Sequence, residues 1–383
     1  MARPYRPPLR VWVWAAATVA LVVVAALLWR GSDAAATDST TAAPAGVPSG
    51  TPADAVREAW STRGTPMPQD VVESGRVITG SAHGVRALDP LTGSEAWHYT
   101  RANARLCGVT AVNGVVVTVF RTEDRCDEAV ALEAGTGVRA WTRNVGFRGD
   151  ATLASTDRIV LASSPTGIVT LDPSGDNIRW RYAPPDGCLI ESAEAGSAGV
   201  ALLQICDGSP VVQMKLFDGF NGKVHWDRDV RTPGNTEVRL LGADQLLGLA
   251  VGDEVQAVSA ADGSVLRTLP LPGGTDEPPA MLSVQGAALL WIDGTLHALD
   301  PATGRPLWQA PARGLPSAAA AGEPSTGPDT LLVPGADGFA HRDPASGDRL
   351  GNSAAADVPA GGTASGVGPV VVYRLPDRVL AYR

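Results

Sequence analysis

Beyond residue 55 the chain alternates short aliphatic runs with tight-turn signals. "GVVVTVF" (114–120), "RIVLAS" (158–163), "ALLWI" (288–292) and "TLLVP" (330–334) have the length and the Val, Leu and Ile content of strands. Asn113-Gly114, Asp293-Gly294 and Asp337-Gly338 bound such runs with the dipeptides that favour hairpin turns. The pattern predicts strands throughout and no helix after residue 30. Upstream the pattern changes. Val11–Trp29 is continuously apolar, with Thr18 its one weakly polar residue. As a helix it spans about 28 Å, the thickness of a bilayer's hydrocarbon.

Arg3, Arg6 and Arg10 precede that run, which places residues 1–10 on the cytoplasmic side and everything after residue 30 outside. A cleaved signal peptide is the competing reading, because Ala34-Ala35-Ala36 has the small-x-small form of a cleavage site. The apolar core exceeds the roughly 7–15 residues usual in signal peptides, which favours an uncleaved anchor over 11–29. No cysteine precedes Cys107, so there is no thiol for a lipoprotein anchor. Residues 30–55 are small and polar and bury too little to offset the entropy of ordering, so they read as a disordered linker reaching roughly 27 Å. Residues 56–383 remain as one domain.

That domain repeats itself. "ALDPLTGSEAW" ends at Trp97, "ALEAGTGVRAW" at Trp141, "TLDPSGDNIRW" at Trp180, "LFDGFNGKVHW" at Trp226 and "ALDPATGRPLW" at Trp308. Turn glycines fall at Gly93, Gly137, Gly175, Gly222, Gly263, Gly304 and Gly347, with spacings of 44, 38, 47, 41, 41 and 43. A period near 42 fits a four-stranded propeller blade and is too short for helical crossovers. Asp89, Asp172, Asp218, Asp300 and Asp343 open turns in which the carboxylate accepts from amides two or three residues on, and the glycine takes the left-handed conformation. The tryptophan then sits in the outgoing strand, where its ring fills the wedge against the neighbouring blade. Arg267 and Gly351 stand where two units lack it, and those junctions are expected to be looser.

The C-terminal "PVVVYRLPDRVLAYR" leads into a turn that never comes, whereas "REAWSTR" (57–63) has the tryptophan strand, at Trp60, without inner strands. Pairing the two closes the ring and removes its exposed edges. The expected fold is therefore all-β: an eight-bladed propeller of four-stranded antiparallel blades, closed by the N-terminal strand, with seven blades as the alternative. Cys107 and Cys126, and Cys188 and Cys206, lie 19 and 18 residues apart within the first hairpins of two units, and other pairings would join blades that are not neighbours. Two local disulfides are expected, each contributing about 3 kcal/mol in a loop-entropy account.

The chain carries a net charge of −9 with no Lys/Arg run, which disfavours nucleic-acid binding. Candidate chemistry is sparse. Ala195-Gly196-Ser197-Ala198-Gly199 lacks the first glycine of a nucleophile elbow and reads as a hairpin tip. His83, His98, His225, His297 and His341 are scattered among different units without metal-ligand spacing, and Trp226-Asp227 is a solitary dipeptide. No catalytic residue, cofactor-binding residue or metal ligand is assigned.

The repeated Ala-x-Asp-x-x-Thr-Gly-x-x-x-Trp resembles the tryptophan-docking motif of PQQ-like (pyrroloquinoline quinone-like) β-propeller repeat proteins, over roughly Arg57–Arg383. That family includes quinoprotein alcohol dehydrogenases and the BamB-type outer-membrane assembly factor. The dehydrogenases' site, by resemblance, needs a Ca²⁺ held by acidic and amide side chains, a catalytic aspartate and often adjacent cysteines. No two cysteines are adjacent here. BamB-type members are non-enzymatic and eight-bladed, but this chain lacks their lipid-modified cysteine. The expectation is a membrane-anchored, extracytoplasmic scaffold for protein partners in the cell envelope, with no cofactor. A small-ligand or cell-wall glycan sensor using the central funnel and a PQQ-dependent dehydrogenase are the alternatives. The irregular stretch Pro311–Asp329 is the first candidate binding loop.

Overall fold

The computed structural model describes residues 8–44, 46–146, 151–174, 177–209, 211–232, 236–273, 277–284, 286–317 and 330–383. Its propeller has eight blades. Blade 1 runs through strands Val72–Glu73, Arg76–Ser81, Gly84–Leu88 and Glu95–Arg101. Blades 2 to 6 occupy residues 105–144, 152–182, 188–230, 238–270 and 280–311, each four antiparallel strands in chain order. Blade 7 has three described strands within 331–354. Blade 8 combines Gly362–Val367, Val370–Arg374 and Arg378–Tyr382 with Glu58–Arg63, which pairs antiparallel to the last of these. The short strand Gly314–Pro316 joins it in parallel, beside Gly362–Ala364. The rest of the irregular stretch, 318–329, lies outside the described residues.

The ring has no single core. Eight clusters of buried side chains lie one at each blade junction, from Ile78, Trp97, Phe120 and Leu132 between blades 1 and 2 to Val77, Val372 and Val379 between blades 8 and 1. Stability is thus a sum of junctions. In every blade the register of the outer strand shifts by one residue just after the turn, for example at Ala87/Leu88 opposite Glu95–Trp97 and at Ala298/Leu299 opposite Pro306–Trp308. The extra residue makes a β-bulge that re-aims the following side chain. In six blades that residue is the tryptophan; in blades 5 and 7 it is Arg267 and Gly351.

A 22-residue helix, Leu9–Arg30, precedes the propeller with no residue buried, apolar and long enough to cross a membrane. It starts two residues before the expected segment and ends one after it. The linker differs from its expectation as a disordered tether. Ser32 caps a single helical turn, Asp33–Ala36, where no helix was expected. Thr37–Ser39 then pairs antiparallel with Tyr99–Arg101 as a fifth strand on blade 1. Farther on, the Ala42 amide donates to the Thr136 carbonyl of blade 2, Arg76 donates to the Ala43 carbonyl, and Val47 packs on the Gly75 turn. The strap ends against blade 7, where Ala354 exchanges backbone bonds with Asp54 and Val56. Small polar residues have little apolar surface, but blade 1's outer edge offers unpaired backbone groups, and these order the segment.

Candidate functional site

The repeated signature assembles into one device, used at six junctions. Each indole Nε1–H donates to the carbonyl of the residue after the next blade's turn acid or its equivalent: Trp60 to Pro90, Trp97 to Ala134, Trp141 to Pro173, Trp180 to Gly219, Trp226 to Ala260 and Trp308 to Pro344, at 2.8–3.1 Å. Only the carbonyl of that residue is used, so proline, which lacks an N–H, fits there. The same rings lie on the turn glycines. A Cβ on Gly137 (φ +76°) would come within 2.7 Å of the Trp97 ring, and Gly93, Gly222, Gly263 and Gly347 meet Trp60, Trp180, Trp226 and Trp308 in the same way. Gly175 lies outside the described residues.

The turn aspartates are engaged locally. Asp89 Oδ1 accepts from the amides of Leu91 and Thr92, Asp218 from Phe220 and Asn221, Asp300 from Ala302 and Thr303, and Asp343 from Ala345 and Ser346. Asp172 accepts from the amide and hydroxyl of Ser174 and pairs with Arg179. The Thr303 hydroxyl and amide hold the Asp300 carboxyl below its ordinary range, and the Asn221 amide does the same for Asp218.

The two junctions without tryptophan differ from each other. Between blades 7 and 8, Phe339 packs edge-on against Tyr382 and Tyr373, with ring centroids 5.1 and 5.9 Å apart, so this junction is filled rather than loose. Between blades 5 and 6, Leu266 covers Gly304 and a cavity of about 220 Å³ remains, lined by Arg267, Leu269, His297, Leu299, Trp308 and Gln309 among others.

Both disulfides are present. Cys188 and Cys206 face each other across the first hairpin of blade 4. Cys107–Cys126 differs from the expected place, since Cys126 opens the third strand of blade 2; a bulge at Leu106/Gly108 turns Cys107 across the second. The histidines stay apart: His83 bonds the Ala104 carbonyl, His98 lies against Glu95 and the strap's Asp38 and Thr40, His225 stands 3.9 Å from Asp218, His297 lines the blade 5–6 cavity, and His341 meets Ser353. Ser197 sits at a hairpin tip with its amide on Asp244.

The central channel holds charges that the sequence reading passed over. Asp70 bonds Ser317 and faces Arg374. Desolvation raises its pKa against both. Glu194, on the inner strand of blade 4, is pushed up to about 7 by desolvation, with Arg239 opposing. A cavity of about 230 Å³ lies beside Glu194, walled also by Met67, Gln69, Leu153 and Arg374. Each carboxyl has an arginine for a neighbour, and no group of three or more His, Cys, Asp or Glu that could hold a metal ion occurs among the described residues. This donor set does not fit a Ca²⁺-bound quinone. Aligning the inner strands unit by unit would have exposed Glu194 and Arg239 as polar residues where a core strand is expected.

The family described as outer membrane protein assembly factor BamB matches residues 26–195 and 211–381. No curated protein matches the sequence. Among solved structures, BamB from Moraxella catarrhalis superposes with a TM-score of 0.51 at 17% identity, covering 86% of this chain and 99% of that one. The computationally designed Ika8 protein gives 0.54 at 15%, over 86% and 99%. Quinohemoprotein alcohol dehydrogenase from Comamonas testosteroni gives 0.48 at 13%, over 86% and 76%.

Proposed function

The chain belongs to the family of the outer membrane protein assembly factor BamB, and from that premise we propose that it is a membrane-anchored, extracytoplasmic scaffold that binds protein partners in the cell envelope and catalyses no reaction. One observation carries the reading: the side chains that recur in the sequence are taken up in joining blades. Six indole N–H groups bond the next blade, and the turn carboxylates bond their own amides. The surface loops lie outside that framework, and loops held on a rigid scaffold are where partners are recognised.

The strap sets how the scaffold stands. The helix ends at Arg30, and Asp33 already pairs with Arg101 of blade 1 and accepts from Asn103. Arg101 is buried and also meets Glu128 of blade 2. With the helix in the bilayer and its N-terminus inside, only Gly31 and Ser32 separate membrane from propeller, so blade 1's outer edge rests close to the lipid. The test is chemical cross-linking in native membranes, comparing the full chain with one lacking residues 1–30. Links from the full propeller to the extracytoplasmic part of another envelope protein are expected, and a full-length chain linked only to itself would overturn the proposal.

A further inference from the structure

The two disulfides stand in opposite electrostatic settings. Cys107–Cys126 lies at one end of blade 2 among arginines. Arg121 pairs in register with Cys126 on one side and with Arg105 on the other, and its Nη2 lies 3.7 Å from Cys126 Sγ. Arg105 and Arg125, two residues before Cys107 and one before Cys126, are exposed. Of the acids nearby, Glu128 pairs with Arg101, Asp127 accepts from the Thr122 hydroxyl and from Asn144, and Glu123 and Asp124 lie at the exposed tip of the hairpin. Cys188–Cys206, in contrast, has no lysine or arginine within four residues of either cysteine. Asp186 and Asp207 flank it instead, and the Asp207 amide donates to the Gly187 carbonyl, which keeps that aspartate beside the bridge.

These settings act on sulfur chemistry in opposite directions. A cation beside a sulfur favours the thiolate, and a sulfur that departs as a stabilised thiolate departs fast. Neighbouring carboxylates oppose both the departing thiolate and the approach of an attacking one. In the blade 2 bridge, Cys126 is fully buried and Cys107 half-buried, so the sulfur open to attack is that of Cys107 and the one that leaves, beside Arg121, is that of Cys126. The bridge also braces the strap's anchor point: two residues beyond Cys126, Glu128 holds Arg101, which holds Asp33.

We infer that Cys107–Cys126 is a site of thiol–disulfide exchange, opened by a dithiol protein of the cell envelope, whereas Cys188–Cys206 is a lasting staple. The inference needs the propeller outside the cytoplasm and does not need the scaffold role. A thiolate of the partner forms a bond to Cys107 Sγ, the Cys107–Cys126 bond breaks, and its electron pair leaves on Cys126 Sγ beside the Arg121 guanidinium. The partner's second thiol gives up its proton and attacks the mixed disulfide, which closes the partner's own disulfide and releases Cys107 as a thiolate that takes up a proton. The partner is oxidised by two electrons and this chain is reduced by two.

The experiment exposes the full chain, held in lipid nanodiscs at pH 7, to reduced glutathione or to dithiothreitol, stops the reaction by alkylation, and maps the four cysteines by mass spectrometry. Cys107–Cys126 is expected to open about tenfold faster than Cys188–Cys206, and trapped glutathione is expected on Cys107. Arg121→Gln should slow the opening of Cys107–Cys126 about tenfold and leave Cys188–Cys206 unchanged, while Arg121→Lys, which keeps the charge, should retain most of the rate. Equal rates for the two bridges, earlier opening of Cys188–Cys206, glutathione trapped on Cys126, or a parental rate in Arg121→Gln would each overturn the inference. The rate ratio and the position of glutathione are read on the parent chain, so they decide the matter even where Arg121→Gln does not fold. None of these outcomes bears on partner cross-linking, which tests the scaffold separately.

Discussion

Trp97 and Gly137 offer the sharpest test of how the ring is held. Trp97 is fully buried, its Nε1 lies 2.8 Å from the Ala134 carbonyl, and its ring covers Gly137 on the next blade. Trp97→Ala removes that packing and leaves the carbonyl without its donor, a loss of about 3–5 kcal/mol. Gly137→Ala acts in two ways. Its φ of +76° costs an L-residue about 1–2 kcal/mol, and the new Cβ would stand 2.7 Å from the indole, adding about 1–3 kcal/mol of overpacking. In the Trp97→Ala background the ring's share of the second contribution is lost, leaving only the Cβ of residue 97 at 3.0 Å. The double variant should therefore be more stable than the sum of the single losses implies, by about 1–3 kcal/mol. Urea unfolding followed by far-ultraviolet circular dichroism measures the cycle. Additivity within about 0.5 kcal/mol would refute the claim that the ring of one blade lies on the turn of the next.

Three further outcomes follow from the same geometry. His98 is gripped by Glu95 and Asp38; burial works against its proton, but the two carboxylates outweigh it and raise its pKa. Its hold on the strap is complete below the ordinary value near 6.5 and fades as pH rises through the raised one, so proteolysis of residues 31–55 should be faster at about pH 8.5 than at about pH 6, and His98→Gln should flatten the difference. Glu194 holds its proton up to about 7 in the folded channel against an ordinary 4.5. The unfolded chain ionises first, so stability falls between those values, and Glu194→Gln should abolish that slope and be the more stable protein at about pH 8; an unchanged slope would contradict the channel placement. Replacing Cys188 and Cys206 together by serine opens a loop of 18 residues and should lower the unfolding free energy by about 3 kcal/mol, read from urea midpoints at equal m-value.

What the sequence made legible was the part of the fold that repeats. The Asp-x-x-Thr-Gly turns, the tryptophans and the split terminal strands announce blades, because each unit meets the same wedge with the same residues. The bulge that aims each indole was not legible, since a single inserted residue next to a turn leaves no compositional mark. Polar residues on the inner strands, Glu194 and Arg239 among them, were hidden for a related reason: the inner strand faces a wet channel and loses the alternation that marks a half-buried strand. The strap was misread as a mobile tether because its order comes from backbone pairing with Tyr99–Arg101 and from ion pairs of Asp33 with Arg101 and Asp38 with His98. Composition reports apolar burial, and this segment buries little. At the blade 7–8 junction Gly351 suggested looseness, yet Phe339, Tyr373 and Tyr382, distant in sequence, supply the missing aromatic surface.

The most direct measurement of the scaffold claim is native mass spectrometry of the full chain extracted from its own membranes in lipid nanodiscs. A particle heavier than the 39.4-kDa chain by the mass of another envelope protein is the expected result. A lone chain, or one carrying only an adduct of roughly the size of a quinone or a sugar, would contradict it.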